Sequence, residues 1–486
     1  MVFINLTKSI VLRIRIGIVW FRHDLRLRDN QALTEATNQC DVILPVYVFD
    51  ERLYKEKTKY GFRQISPLRA KFLIESVNSL KIALAERNVE LIVRYGKTED
   101  IIYDIARQVK STWVYCNRER TPEEEYIQDQ LEAKLWQIGQ ELRFSRGKML
   151  YHTGDLPFPV KHTPDTYAAF YREVGKIVAV RKPLPIPDKI LPYMGNVASE
   201  PIPSLAELGF KKSDFKNKES LFKGGEFEGI KRLDEFIKKN FRVTPLSLKK
   251  KKKGSVLVTK LSPYLNAGCL SPKTIYERIN RFMGNKYHMN RASCILHGLM
   301  RRDFFKLQEK KYKEKIFDAG GVKGIVRSDL KDDMKKFKLW KEAKTGVPIV
   351  DAFMRELNET GFIPFEGRRI LSQFLIDELK VNWQIGAEYF QSVLVDYNPC
   401  SNWGNWNTVA DVNYDAKEDR YCNFVTKAKK LDPKGELVRK WIPVLAPLNN
   451  HYIHEPEKTP PEELKKAKIR LGKDYPLPIV DTERWA

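Results

Sequence analysis

The chain has 486 residues, 42% of them hydrophobic, so it can bury more than one core, and two domains are the default expectation. Its formal net charge of +24 favours polyanions, nucleic acid first among them, although much of the excess is lysine, as in the run Lys249–Lys253, which reads equally well as a solvated loop. No stretch approaches the roughly 18 uninterrupted apolar residues of a membrane span, so a soluble chain without a membrane partner is expected.

Met1–Arg15 carries Lys8, Arg13 and Arg15 and no acidic residue. It reads either as a ragged extension over residues 1–14 or as a weak targeting peptide; a cytoplasmic location is expected, with an organelle as the alternative. Short apolar runs at Gly17–Phe21, Val42–Phe49, Leu91–Tyr95 and Trp113–Cys116 alternate with amphipathic segments such as Leu68–Leu84 and Glu123–Ile138. Alternation of this kind predicts a parallel sheet with helices on both faces, an α/β domain over residues 15–149. The first strand runs into Arg22, His23, Asp24, Leu25 and Arg26 rather than a glycine-rich turn, which disfavours a nicotinamide dehydrogenase.

From Leu150 to about Phe210 nine prolines, Pro157 to Pro203, block regular structure and predict a wrapped connector over residues 150–215. Beyond it, Glu226–Lys239, Pro272–Phe282, Val350–Leu357, Arg368–Glu378 and Gly386–Val395 have helical periodicity, so residues 216–486 should form a large, all-α domain. The six cysteines are scattered without a CxxC, and His451 and His454 stand in a late loop without an HExxH. A reducing compartment and no metal site are expected.

Several motifs occur in order. They are Val-Trp-Phe-Arg-His-Asp-Leu-Arg-Leu at Val19–Leu27, Asp155-Leu-Pro-Phe, Leu261–Pro272, Thr345–Phe362, and Cys400-Ser-Asn-Trp-Gly-Asn-Trp, closed by Leu431–Leu445. Together the chain resembles the DASH branch of the cryptochrome and photolyase family from about Gly17 to Pro478.

The resemblance implies FAD held in the helical domain, where the cofactor carries the light-driven chemistry and the protein supplies phosphate contacts, polarity and an electron route. By the family motif, Thr259, Lys260, Leu261 and Ser262 would meet the phosphates, with Val258 replacing a usual hydroxyl residue; Ser262 before Pro263 reads otherwise as a helix cap. Arg302, Arg368, Asp396, Asn398 and Asn402 are implied around the flavin, Asn402 beside its N5. Trp406 and Trp383 match the proximal and middle members of a tryptophan electron relay, and Glu119 matches a contact to a 5,10-methenyltetrahydrofolate antenna.

Departures from the family pattern cluster at functional positions. Leu330 stands where the distal, surface-facing tryptophan belongs, and an aliphatic side chain cannot be oxidised in its place. Gly298 and Arg301 replace the glutamate and tryptophan that hold a damaged thymine pair. Phe365 replaces an amide, Asn398 an acidic residue, and Asp411 and Asn413 glycines. Base stacking is worth about 1–3 kcal/mol, so losing both lesion contacts weakens specific binding, although Arg301 can itself stack on a base. Two functions stay open. One is a FAD-dependent blue-light protein, expected to be monomeric, that binds single-stranded or damaged DNA and repairs cyclobutane pyrimidine dimers; the other is a photoreceptor or nucleic-acid-binding protein without repair.

Overall fold

The structure, a computed structural model, describes residues 14–175, 177–241, 258–284, 288–415 and 422–485. Lys249–Lys253 and the first thirteen residues of the expected extension lie outside the described residues.

Five strands, β1 (Ile16–Phe21), β2 (Val42–Asp50), β3 (Ile92–Gly96), β4 (Trp113–Asn117) and β5 (Glu141–Ser145), form one sheet in the order β3-β2-β1-β4-β5 with every pairing parallel. Helices α1 (Gln31–Gln39), α2 (Glu51–Lys55), α3 (Pro67–Ala85), α4 (Thr98–Val109) and α5 (Pro122–Gln137) connect the strands. The four apolar runs read from the sequence are strands β1 to β4. The fifth strand was not anticipated, because Glu-Leu-Arg-Phe-Ser puts two charges into a short edge strand, where charge guards the open side of a sheet.

The proline-rich stretch corrects one expectation. Helix α6 (Tyr167–Val174) forms inside it, in the proline-free window after Pro164, and the Thr166 hydroxyl caps it by accepting from the Ala169 N–H. Elsewhere the stretch lies along the sheet: the Ile43 N–H donates to the Leu191 carbonyl, and the Glu200 N–H to the Val93 carbonyl.

The helical half comprises α7 (Glu226–Phe241), α8 (Ser262–Ala267), α9 (Pro272–Asn280), α10 (Met289–Tyr312), α11 (Met334–Lys341), α12 (Pro348–Thr360), α13 (Phe365–Gln373), α14 (Trp383–Val393), α15 (Pro399–Ala410), α16 (Phe424–Leu431), α17 (Glu436–Trp441) and α18 (Pro461–Ala467). One apolar core runs from Val19 and Phe21 on the sheet through Tyr264 and Phe304 to Cys400, so the two halves share a core. A second core, around Trp340, Phe374, Trp383 and Trp406, belongs to the C-terminal helices.

Two glycines of the motifs set helix spacing. A Cβ at Gly386 would stand 2.3 Å from the Trp406 ring, and one at Gly404 would stand 2.3 Å from the Phe305 ring, so these positions let α14 approach α15 and α15 approach α10. The motif Thr345-Gly-Val-Pro-Ile-Val-Asp forms a polar knot. The fully buried Asp351 carboxylate accepts from the Thr345 N–H at 2.9 Å and hydroxyl at 2.7 Å, the Gly346 N–H at 3.1 Å and the Tyr475 hydroxyl at 2.8 Å. Four donors on one carboxylate offset its desolvation and tie α12 to a distant segment. Among the described residues no helix is long and apolar enough to cross a membrane.

Candidate functional site

In a parallel sheet wound in both directions, ligands are met beyond the carboxyl ends of the strands, where the winding reverses. Here it reverses between β1 and β4. A cavity of about 1050 Å³ opens there, lined by His23 after β1, Asp50 at the end of β2, Glu119 after β4 and Ser145 at the end of β5. Its opposite wall belongs to the helical half, with Arg302, Lys306 and Glu309 from α10 and Cys400 and Trp403 from α15.

The charges on and beside this wall are only partly matched. Glu309 is 1% exposed, its Oε2 has no protein hydrogen-bond partner, and burial, reinforced by Glu125, pushes its carboxyl up to about 7. Asp303 accepts from the Tyr151 N–H at 2.9 Å through Oδ2, while Oδ1 has no hydrogen bond and the Arg302 Nη1 stands 3.9 Å away. Burial, then the neighbouring Arg302 charge, pulls Lys306 below the usual lysine range. Glu119 stands on the cavity wall, but its carboxylate is already engaged by Lys148, and its backbone N–H donates to the Gln128 side chain at 2.9 Å.

A second cluster brings together residues from three motifs. The Arg368 Nη2 donates to both carboxylate oxygens of Asp396, at 2.9 and 2.7 Å, and the Ser262 hydroxyl donates to the Asp396 Oδ2 at 2.5 Å. The Asn266 amide donates to the Asp396 carbonyl, and the Arg368 Nε to the Ile363 carbonyl at 3.1 Å. Ser262 is therefore not the N-cap that its place before Pro263 offered: Leu261, 2% exposed, holds that position, and the Ser262 hydroxyl is spent on Asp396. Lys260, at φ +54°, is in the left-handed region, and the Thr259 hydroxyl accepts from the Leu261 N–H at 3.4 Å, so residues 259–262 form a tight turn entering α8. Val258 packs half-buried on the first core.

Arg302 is largely buried, donating from Nη1 to the Lys148 carbonyl at 3.0 Å and from Nη2 to the Leu265 carbonyl at 3.3 Å, while its Nε has no protein partner. Asn398 is the N-cap of α15, accepting from the Ser401 N–H at 3.1 Å, and it also lines the cavity. Asn402 donates from Nδ2 to the Ala387 carbonyl at 3.0 Å.

Four of the tryptophans fall into two ring clusters. Trp406 meets Phe390 edge-on at 5.2 Å, and Phe390 stacks on Trp340 at 6.2 Å. Trp383 meets Trp403 edge-on at 5.6 Å and donates its indole N–H to the Ala319 carbonyl at 3.2 Å. Trp403 lies in a motif that gives it no role; its ring contact and its place on the cavity wall single it out.

The departures fall in varied surroundings. Gly298 is exposed, and a Cβ there would meet no atom within 4 Å. Arg301 lies over the Tyr167 ring, 4.4 Å from its centroid, and Tyr171 packs on His297 at 4.4 Å. Phe365 is 49% exposed at the start of α13. Leu330 is half-buried against the second core. Asp411 sits at φ +58° at the C-terminus of α15, where glycine is at ease, with Lys323 3.0 Å from its carboxylate. Asn413 donates to the Thr408 hydroxyl at 2.7 Å.

The donor set suits an anionic ligand. Residues 259–262 place the Thr259 hydroxyl and Lys260 at a helix start, and Arg302 has a buried N–H left over, which favour an anion. The cavity that borders Asn398 and Arg302 is large enough for a further ring-bearing ligand.

Residues 17–188 match the family model for DNA photolyase, and residues 295–486 match that for the FAD binding domain of DNA photolyase. The chain is similar to cryptochrome DASH of Gloeobacter violaceus, 36% identical over 96% of this chain and 93% of the relative. Its fold is similar to the crystal structure of a Synechocystis cryptochrome, with a TM-score of 0.89, 33% identity and coverage of 97% and 98%. It is also similar to an archaeal photolyase from Sulfolobus tokodaii, solved with two FAD molecules, with a TM-score of 0.77, 27% identity and coverage of 96% and 97%.

Proposed function

The chain belongs to the cryptochrome DASH family, and from that premise we propose that it is a blue-light flavoprotein that holds FAD in its helical half and binds DNA. The observation that carries this reading is the Arg368–Asp396 pair joined by the Ser262 hydroxyl, because a charge pair of this kind is costly to bury and is kept complete here. Bound FAD supplies light absorption and one-electron chemistry. Thr259, Lys260, Leu261 and Ser262 hold its diphosphate, Arg302 and Arg368 add positive charge, Asp396 fixes Arg368, and the Asn402 amide and Asn398 orient the ring edge. Trp406 and Trp383 carry electrons toward it. Under this reading the protein acts as a cytoplasmic monomer, takes single-stranded or damaged DNA, and repairs cyclobutane pyrimidine dimers; single strands lower the cost of extruding the dimer. The cavity above the sheet takes 5,10-methenyltetrahydrofolate. Glu309, with a free oxygen, is a better candidate than Glu119 to meet its N–H groups.

A second reading, a photoreceptor or nucleic-acid binder without repair, is favoured by Gly298 and Arg301. The first leaves open space, and the second is already packed on Tyr167. The test is absorption of the protein reconstituted with FAD, before and after blue illumination with a reductant. A stoichiometric flavin band, lost in Arg368→Ala, supports the first step, and failure to take up FAD in excess defeats it. Light-dependent restoration of a dimer-containing single strand then separates repair from its absence.

A further inference from the structure

Five glycines lie inside the described α-helices, and packing requires four of them. A Cβ would stand 2.9 Å from Leu270 at Gly229, 2.7 Å from Phe353 at Gly367, and 2.3 Å from an aromatic ring at both Gly386 and Gly404. Gly298 is the exception. It stands in the interior of α10, exposed, and a Cβ there would meet no described atom within 4 Å. Glycine inside a helix is destabilising relative to alanine, so packing within the described chain gives no reason for this one. Bare backbone of this kind suits the close approach of a group from outside the chain.

Flat side chains gather beside it. On α10, His297 precedes Gly298 and Arg301 follows one turn later. On α6, Phe170 and Val174 are buried, while Tyr167 and Tyr171, one turn apart, reach α10. Two rungs result: the Tyr171 ring lies 4.4 Å from the His297 ring with the planes 30° apart, and the Arg301 guanidinium lies 4.4 Å from the Tyr167 centroid. The Tyr167 hydroxyl stands 3.1 Å from the His297 Nδ1 and donates to the His297 carbonyl at 3.1 Å, which holds the two rungs together. Burial, and then the Arg301 charge, keeps His297 below the usual histidine range, so near neutral pH it is an uncharged ring. A neighbouring carboxylate, Asp415, is engaged by the Tyr167 N–H at 2.9 Å. All four residues of the rungs are half-buried, so part of each is open to solvent.

We propose that this platform takes one unpaired, undamaged base of a single-stranded nucleic acid over Gly298, beside His297 and Arg301. This rests on the nucleic-acid-binding reading for the strand itself and adds where a base is held. Imidazole, phenol and guanidinium planes stack on any base, and none of the four side chains is a carboxylate that would single out one base by its N–H groups. Recognition is therefore sequence-tolerant and needs no lesion. The formal net charge of +24 supplies the attraction to the phosphates.

The test is fluorescence anisotropy in the dark, with and without FAD, on labelled strands of equal length: oligo-dT, oligo-U and an abasic strand with the same phosphates. Wild type should bind a base-bearing strand about tenfold more tightly than the abasic one, the worth of one stacked base. The tighter of oligo-dT and oligo-U identifies the strand. Gly298→Leu fills the open space: its Tm should equal or exceed that of wild type, its preference for bases should vanish, and its salt dependence should stay. His297→Ala should lose most of the preference, and Tyr171→Phe, which keeps the ring, should retain it. A strand carrying 5-iodouracil should crosslink to His297 or Tyr171 under long-wave ultraviolet light. Equal binding of base-bearing and abasic strands by wild type overturns the proposal and leaves the nucleic-acid reading standing, whereas no binding of any strand defeats both. A preference for bases that survives in folded Gly298→Leu overturns it, as does a wild-type preference for a strand bearing a thymine dimer.

Discussion

Two charged clusters of the helical half are solved in opposite ways. Around Asp396, the Arg368 guanidinium and the Ser262 hydroxyl answer both carboxylate oxygens, whereas along α10 the atoms Asp303 Oδ1, Glu309 Oε2 and Arg302 Nε are buried without a hydrogen bond from the protein. Unanswered polar atoms in a packed interior are expensive, so they persist where something else answers them or where function needs them. The first cluster reads as a fixed anchor and the second as the wall of a site completed by a ligand. The contrast explains why the cavity borders α10 while Asp396 is packed away at 4% exposure.

The contrast can be broken at the anchor first. Asp396→Ala should strand Arg368, whose side chain is 26% exposed, and cost about 3–5 kcal/mol in urea unfolding; a loss below 1 kcal/mol would remove the distinction. Next comes Glu309→Gln. With the folded carboxyl at about 7 and its ordinary value at 4.5, the native state binds more protons than the unfolded one between those pH values, so wild-type stability should fall as pH rises through that window. The variant lacks this slope and should be more stable than wild type at pH 8, on the order of 2–3 kcal/mol. Unfolding curves at pH 5, 6, 7 and 8 measure it, and equal slopes in the two proteins would refute the assignment. Ser262→Ala should cost about 1.5–2 kcal/mol, the worth of a hydrogen bond to a charged partner, and should also weaken FAD uptake in a titration. Arg301→Ala, which removes only a half-exposed cation over Tyr167, should cost about 0.5–1 kcal/mol and lower the affinity for single-stranded DNA in an anisotropy assay.

The fold was largely legible because strands β1 to β4 are continuous apolar runs and the helical half is periodic. What escaped had weak local signals: β5 is short and charged, and α6 is a proline-free window inside a proline-rich stretch. Within the site, residues that sit in motifs could be named, and Arg368 and Asp396 are brought together as their motifs implied, while the contact of Ser262 with Asp396 was not legible. Glu309, Lys148 and Trp403 could not be picked out. Their roles come from a cavity assembled by segments such as 50, 119, 148, 309 and 403, and no local pattern of residues encodes that meeting. Leu330 was legible as a loss, but the contact between Trp383 and Trp403 depends on how α14 crosses α15.

The Asp351 knot has a consequence for the making of the molecule. Three of its four donors lie within six residues, but the fourth, the Tyr475 hydroxyl, lies 124 residues downstream. At synthesis rates of about 5–20 residues per second, that carboxylate is made roughly 6–25 s before its last partner. During that interval α12 lacks its tie to the later segment, and the nascent helical half is a natural client for a chaperone.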